Sequence, residues 1–191
     1  MNSFIIKALF EGIQGKKLHE LVNLTKYDIA DARNNDNLLK LDNGSGDFRA
    51  ITVEEETLKL AELAIKEQEY YKKNGEVDYS DNIKDTAPLV KSDYVLRPVF
   101  TNNDKIKLTH YSVYNRLEMI KGLEEFDEYK DSLTTKNIVR SGMLYEAKKV
   151  VDSGQPLDKN TIELICLKYG IKYKWSLRDF LNEDTIREVY G

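Results

Sequence analysis

The sequence is poor in the residues that most often announce a site. Its one cysteine, Cys166, excludes an internal disulfide framework and a zinc site built on cysteine pairs. Its two histidines, His19 and His110, do not by themselves close a metal site. The apolar runs fall far short of the roughly 20 residues that span a bilayer. Residues 1–10 are too short and too weakly basic to read as a secretion signal. No membrane partner is expected, and the place of action is the cytoplasm, or alternatively a virion. There is no glycine-rich phosphate loop, no paired catalytic carboxylates and no nucleophile motif. These absences lead to the expectation of a non-enzymatic protein with no cofactor and no metal.

Positive charge is also in short supply. The 191 residues hold 29 basic and 33 acidic groups, a net charge of −4. Proteins that live on nucleic acid usually carry a basic surface, because releasing counterions from phosphates supplies most of the affinity. Any such role must therefore come from a local patch. Residues 1–50 are balanced, with five Lys and two Arg against five Asp and two Glu. The deficit lies in the remainder.

What is present suits a folded chain, with 41% apolar and 32% charged residues. Abundant Lys, Asn, Ile, Leu and Tyr reflect AT-rich codons and point to a low-GC bacterium or a phage. There is no internal repeat and no low-complexity segment.

Hydrophobic spacing and capping residues predict a mainly α fold. Residues 3–11 read as a helix capped by Ser3, and Lys16 to Val22 as a second. Thr25 with Asp28 makes an approximate capping box for a third, Lys26 to Asn35. Leu38–Leu41 and Phe48–Val53 are extended runs joined by Asp42-Asn43-Gly44-Ser45-Gly46-Asp47, a turn suited to a β-hairpin. Residues 54–73 form a helix with acidic residues first and lysines last. Residues 76–104 read as an irregular connection, or edge strands around Leu89–Val90 and Tyr94–Phe100. Thr109 caps a helix to about Phe126, and Ser132 or Thr134 opens another, broken at Gly154-Gln155-Pro156. Residues 158–169 form a helix with Ile162, Ile165, Cys166 and Tyr169 on one side. Ile171 to Trp175 is extended, Ser176 caps a short helix, and Asn182 or Asp184 a last one. The expected organisation is an N-terminal unit over 1–75, a linker or edge strands over 76–104, and a C-terminal helical bundle over 105–191.

Residues 16–35, KKLHELVNLTKYDIADARNN, resemble the helix-turn-helix family of DNA-binding domains. Leu18 and Val22 would be buried on the first helix, Leu24 in the turn, Ile29 and Ala32 on the second. Asn23 takes the turn position where that family prefers glycine. Residues 3–11 would supply the third helix of the bundle and residues 38–53 the wing of a winged variant. The resemblance implies a helix, 26–35, lying in a major groove with the hairpin on an adjacent backbone. Tyr27 and Asn34 could then touch base edges, with Lys26, Arg33, Asn35, Lys16, Lys17 and the wing residue Arg49 as the other contacts. The implied function is a DNA-binding or regulatory protein of a low-GC bacterium or phage, whose C-terminal bundle oligomerises or binds a partner.

A second reading makes the chain an oligomeric structural or assembly protein of a phage particle or other complex. It rests on the acidic charge, on closely paired tyrosines (Tyr70 and Tyr71, Tyr111 and Tyr114, Tyr169 and Tyr173) and on the proline-bearing middle segment, which could reach a neighbour, while Asp28 and Asp31 on the recognition helix oppose phosphates. Self-association or a protein partner would use these tyrosine-rich helices. Asp78, Asp81 and Asp85 lack calcium-loop spacing and read as solvated carboxylates. Glu118, Glu124, Glu125, Asp127 and Glu128 read as a solvated helix face. Cys166 reads as a buried thiol and His110 as a surface residue at a helix start.

Overall fold

A computed structural model describes residues 1–44, 46, 48–71, 86–101, 105–172, 177 and 179–191. It is mainly helical, with two small antiparallel sheets, as expected. Helix α1 (Asn2–Phe10) buries Phe4, Ile5, Ala8 and Leu9, the spacing of one helical face. Its start has no side-chain cap, so Ser3 does not play the expected part.

The helix expected from Lys16 to Val22 is shorter. Lys16–Leu18 is a single 3-10 turn, and Lys17 and Leu18 adopt left-handed backbone with φ of 54° and 56°. Such residues cannot continue a right-handed helix, so α2 begins late and spans only His19–Asn23. Asn23 is the last residue of α2 rather than a left-handed turn residue. Helix α3 (Lys26–Asn34) starts on a complete capping box: Thr25 accepts from the Asp28 amide, and the Asp28 carboxylate accepts from the Thr25 amide at 2.8 Å. Leu18, Val22, Leu24, Ile29 and Ala32 are all buried, as the sequence pattern requires.

Strands β1 (Leu38–Asp42) and β2 (Phe48–Thr52) form the expected hairpin, with Leu39 opposite Ile51 and Asp42 opposite Phe48. Leu39, Leu41 and Ile51 face the core. Ser45 and Asp47 of its turn lie outside the described residues. Helix α4 (Glu55–Lys66) ends well before residue 73. The Arg97 guanidinium donates to the carbonyls of Ala64, Ile65 and Glu67, occupying the acceptors that a longer helix would use. The chain then extends into β3 (Glu69–Tyr71), which pairs with β4 (Thr86–Pro88). Residues 72–85, with Gly75, Asp78, Ser80, Asp81 and Asp85, lie outside the described residues, as do Asn102 and Asn103. Among the described residues of the middle segment, β4 pairs with β3 and two isolated bridges follow, Leu89 with Val99 and Thr25 with Tyr94.

Helices α5 (His110–Lys121), α6 (Thr135–Asp152), α7 (Lys159–Lys168) and α8 (Glu183–Tyr190) follow. Each opens on a side-chain cap: Thr109, Thr134, Asp158 and Asn182 accept from the amide three residues on. Helix α5 stops at Lys121 rather than near Phe126, and Glu124–Tyr129 continues as 3-10 turns. Tyr173, Trp175 and Ser176 lie outside the described residues.

The expected N-terminal and C-terminal units share one apolar core, which runs from Met1 to Ile186. Burying each large aliphatic or aromatic side chain in it is worth about 1.5–3 kcal/mol. The join is close. Helix α6 meets the end of α1 at Gly142, where a Cβ would stand 1.7 Å from the Phe10 carbonyl oxygen. The same oxygen accepts from the Tyr169 hydroxyl at 2.7 Å. Tyr169 is buried, as is Cys166 beside it on α7.

Candidate functional site, a lysine-lined groove

A groove of about 1690 Å³ opens between four segments. They are the turn leading into α2, the hairpin around Gly44 and Phe48, residues 105–110 before and at the start of α5, and the end of α7. Five lysines line it: Lys16, Lys17, Lys105, Lys107 and Lys172. Both histidines are there too. Among the described residues the lining carboxylates are Glu20 and Glu163. Phe48, Ile106 and Leu167 give the rim exposed apolar surface, Phe48 at 73% exposure.

One of the two carboxylates is already neutralised. Glu20 is buried, and Arg49 reaches it from the hairpin with Nε on Oε1 at 2.7 Å and Nη2 on Oε2 at 2.6 Å. Arg49 also donates to the carbonyls of Gly12, at 2.6 Å, and Lys168. This fork ties the hairpin to α2, to the turn after α1 and to the end of α7. It builds the floor of the groove and leaves positive charge dominant among the described lining residues.

His19 sits under the hairpin turn. Its ring nitrogens lie 2.6 and 2.8 Å from the Asn23 carboxamide nitrogen, and Nδ1 is 3.3 Å from the Asp42 carbonyl oxygen. Gly44, at φ +81°, lies directly on the ring; a Cβ there would meet Cε1 and Nε2 at 2.6 Å. Lys107 donates to the Asn23 Oδ1 from the other side of the groove and lies 5.4 Å from the Tyr94 ring centroid. His110 is the first residue of α5, its ring 4.0 Å from that of Tyr111.

The residues proposed from sequence divide into two groups. Lys16, Lys17 and Arg49 come together in the groove, the lysines exposed and Arg49 committed to Glu20. Lys26, Tyr27, Arg33, Asn34 and Asn35 lie on α3 or at its end, outside the groove lining. The α3 cations are turned onto the protein itself. Lys26 pairs with Asp93 at 2.7 Å, a hydrogen bond that raises the ammonium and lowers the Asp93 carboxyl. Arg33 pairs with Glu62 at 2.8 Å and with Glu55. Asn35 donates to the Asp31 carbonyl at 2.8 Å. Tyr27 and Asn34 are exposed.

Sequence reasoning missed Lys105, Lys107, Lys172 and both histidines as site residues. They come from separate parts of the chain and meet only through the tertiary fold. One local signal existed: Lys105-Ile106-Lys107 alternates charge with an apolar residue just before the Thr109 cap. Among the described residues no group of three or more His, Cys, Asp or Glu side chains could hold a metal ion. Among them, too, no helix is long and apolar enough to cross a membrane.

The family described as MrpR, C-terminal catalytic domain, matches residues 2–191. A relative from Bacillus subtilis (strain 168), described as SPbeta prophage-derived uncharacterized protein YopR, is 31% identical over 193 residues. That match takes in 98% of this chain and 58% of the relative, so the chain spans little more than half of the relative's length. The prophage relative agrees with the phage origin drawn from composition. The family's description as catalytic overturns the expectation of a non-enzymatic protein. That expectation rested on missing local motifs alone. The chain belongs to the family of the MrpR C-terminal catalytic domain.

Proposed function

We propose that the chain is a nucleic-acid-engaging domain of a phage-derived protein, and that the lysine-lined groove holds a stretch of phosphate backbone. The observation that carries this reading is charge. A chain of net charge −4 concentrates five lysines around one groove, where Arg49 cancels one of the two carboxylates among the described lining residues. Clefts lined by one sign of charge focus the field and draw in the opposite sign. Imidazole is the side chain able to give or take a proton near neutral pH, and the groove holds two. Cations to hold phosphoryl charge beside groups that move protons suit phosphoryl-transfer chemistry on a nucleic-acid backbone. The family's catalytic description supports assigning a reaction to this groove.

The groove, rather than α3, is the contact surface in this reading, because Lys26 and Arg33 are spent on Asp93, Glu55 and Glu62. The test is a salt titration of a fluorescent duplex by anisotropy. Lys105→Ala and Lys107→Ala should each weaken binding and lower the slope of log K against log salt by about 0.9 for each phosphate no longer neutralised. Lys26→Ala and Arg33→Ala should leave that slope in place. The reverse pattern would return the interface to α3.

Assembly is a second reading, favoured by the exposure of Leu164 (68%) and Leu167 (64%) on α7 and Tyr111 (68%) on α5. Light scattering decides it: a high-order species without affinity for duplex at low salt supports assembly alone.

A further inference from the structure

Phosphate binding uses the lysines of the groove and leaves three apolar side chains among them without a role. Phe48, Ile106 and Leu167 line the same groove at 73%, 52% and 64% exposure. Apolar residues scattered singly over a surface need no explanation, but these share one basic groove. Ile106 stands between Lys105 and Lys107 in the chain. Phe48 is the most exposed large apolar side chain among the described residues. The strand itself aims it outward, since successive side chains point to opposite faces. Arg49 and Ile51 of β2 take the inner face, Arg49 on Glu20 and Ile51 in the core, so Phe48 takes the outer one with Ala50 and Thr52. The Arg49 fork, anchored also on the Gly12 and Lys168 carbonyls, fixes the strand and with it the place of the ring. Among the described residues no aromatic or cationic side chain stacks on that ring.

The backbone of a paired helix gives such a ring little to meet. It presents phosphate and sugar, which lysines hold without help, while the bases stack on one another inside. A base outside the stack offers a π face, and basic grooves carrying exposed aromatic rings hold unpaired strands through that face. Pulling a base out of a paired helix costs energy, and the cost is least where the base is already unpaired. We propose that Phe48 is a base-stacking residue, and that the groove takes nucleic acid with at least one unpaired base at the hairpin in preference to an unbroken duplex. Ile106 and Leu167 supply apolar surface for the displaced base and its sugar, beside the ammonium groups that hold the flanking phosphates. This rests on the phosphate reading above and names the form of nucleic acid that the groove prefers.

The two kinds of contact respond differently to salt. A lysine on a phosphate releases counterions, so its loss lowers both affinity and the salt slope. Stacking releases none, so loss of the ring lowers affinity by the same factor at every salt concentration. Alanine in place of a stacking ring weakens binding by roughly 5- to 150-fold per base. That factor should appear on a substrate with an unpaired base and vanish on a fully paired one.

Anisotropy titrations at several salt concentrations compare a labelled duplex with the same duplex carrying a short unpaired bulge. The unsubstituted protein should bind the bulged duplex more tightly, by about fivefold or more. Phe48→Ala should lose that preference with its salt slope unchanged, and the exposure of the ring means that its loss leaves the core intact. Phe48→Trp should keep the preference. Its added indole emission, over that of Trp175 in the unsubstituted protein, should fall on binding the bulged duplex. Equal affinity for the two duplexes, a preference that survives in F48A, or unquenched emission in F48W overturns the stacking and leaves the groove reading intact. A lower salt slope in F48A puts the effect of the ring on the lysines and also overturns it. Absence of binding to either duplex overturns both the stacking and the groove.

Discussion

Arg49→Ala separates two roles for one side chain. Sequence reasoning put Arg49 on a hairpin wing facing DNA; the fold spends it on Glu20 and two backbone carbonyls. Removing it leaves a carboxylate whose side chain is 2% exposed with, among the described residues, one other partner, the Gln14 amide at 3.0 Å. Breaking a buried ion pair from one side costs about 3–5 kcal/mol, because the survivor stays desolvated. Arg49 is itself 19% exposed, so water can reach part of the gap, and the lower end applies, about 3 kcal/mol. That is a large share of a typical stability of roughly 5–15 kcal/mol, and the variant should remain folded but weakened. Urea unfolding followed by far-UV circular dichroism measures it as a lower midpoint at unchanged slope. Glu20→Gln in the R49A background should cost less than the two single changes added together, by about 1–3 kcal/mol of coupling. A loss of less than about 0.5 kcal/mol in R49A would mean a solvated arginine and would refute this account of the groove floor.

Gly142→Ala should destabilise strongly, by about 1–3 kcal/mol or more, since its Cβ would meet the Phe10 carbonyl at 1.7 Å and neither backbone can yield alone; thermal unfolding reads this, and a Tm within a degree or so of the parent contradicts the close α1–α6 join. Tyr169→Phe removes the hydroxyl that donates to Phe10; burial pushes that phenol well up, so it stays protonated, and its loss should cost about 1 kcal/mol in the same assay. Glu54 is held down to about 2 by hydrogen bonds from Lys7 and Lys149, against an opposing effect of burial. A depressed carboxyl stabilises above its unfolded value and loses that contribution as pH falls through the folded one. Glu54→Gln should therefore flatten the stability loss between pH 4.5 and about 2, by a small amount because the side chain is 42% exposed. An acid limb identical to the parent's would count against the Lys7–Glu54–Lys149 arrangement.

Helix starts marked by a side-chain cap were legible because the signal is local. Thr25 and Thr109, Thr134 of the pair Ser132 or Thr134, and Asn182 of the pair Asn182 or Asp184 each cap within three residues, whereas Ser3 does not. The hairpin was legible for the same reason, through Asn43-Gly44 between two alternating runs. Helix ends set from a distance were not. Residue 66 ends α4 because Arg97, some thirty residues later, takes its last carbonyls. The left-handed Lys17 and Leu18 gave no warning either, since neither residue type favours that conformation. The site suffered most. Arg33 and Lys26 looked free in sequence because Glu62, Glu55 and Asp93 are remote from them in the chain. Lys105, Lys107 and His110 looked ordinary because the groove exists only once α2, the hairpin and α7 converge.

Lysine footprinting by acylation and mass spectrometry, with and without a bound duplex, tests the central claim most directly. If the groove holds the backbone, Lys16, Lys17, Lys105, Lys107 and Lys172 should lose reactivity together on binding, while Lys26, paired with Asp93 on α3, stays unchanged. Protection confined to Lys26, with the five groove lysines reacting as before, would contradict it.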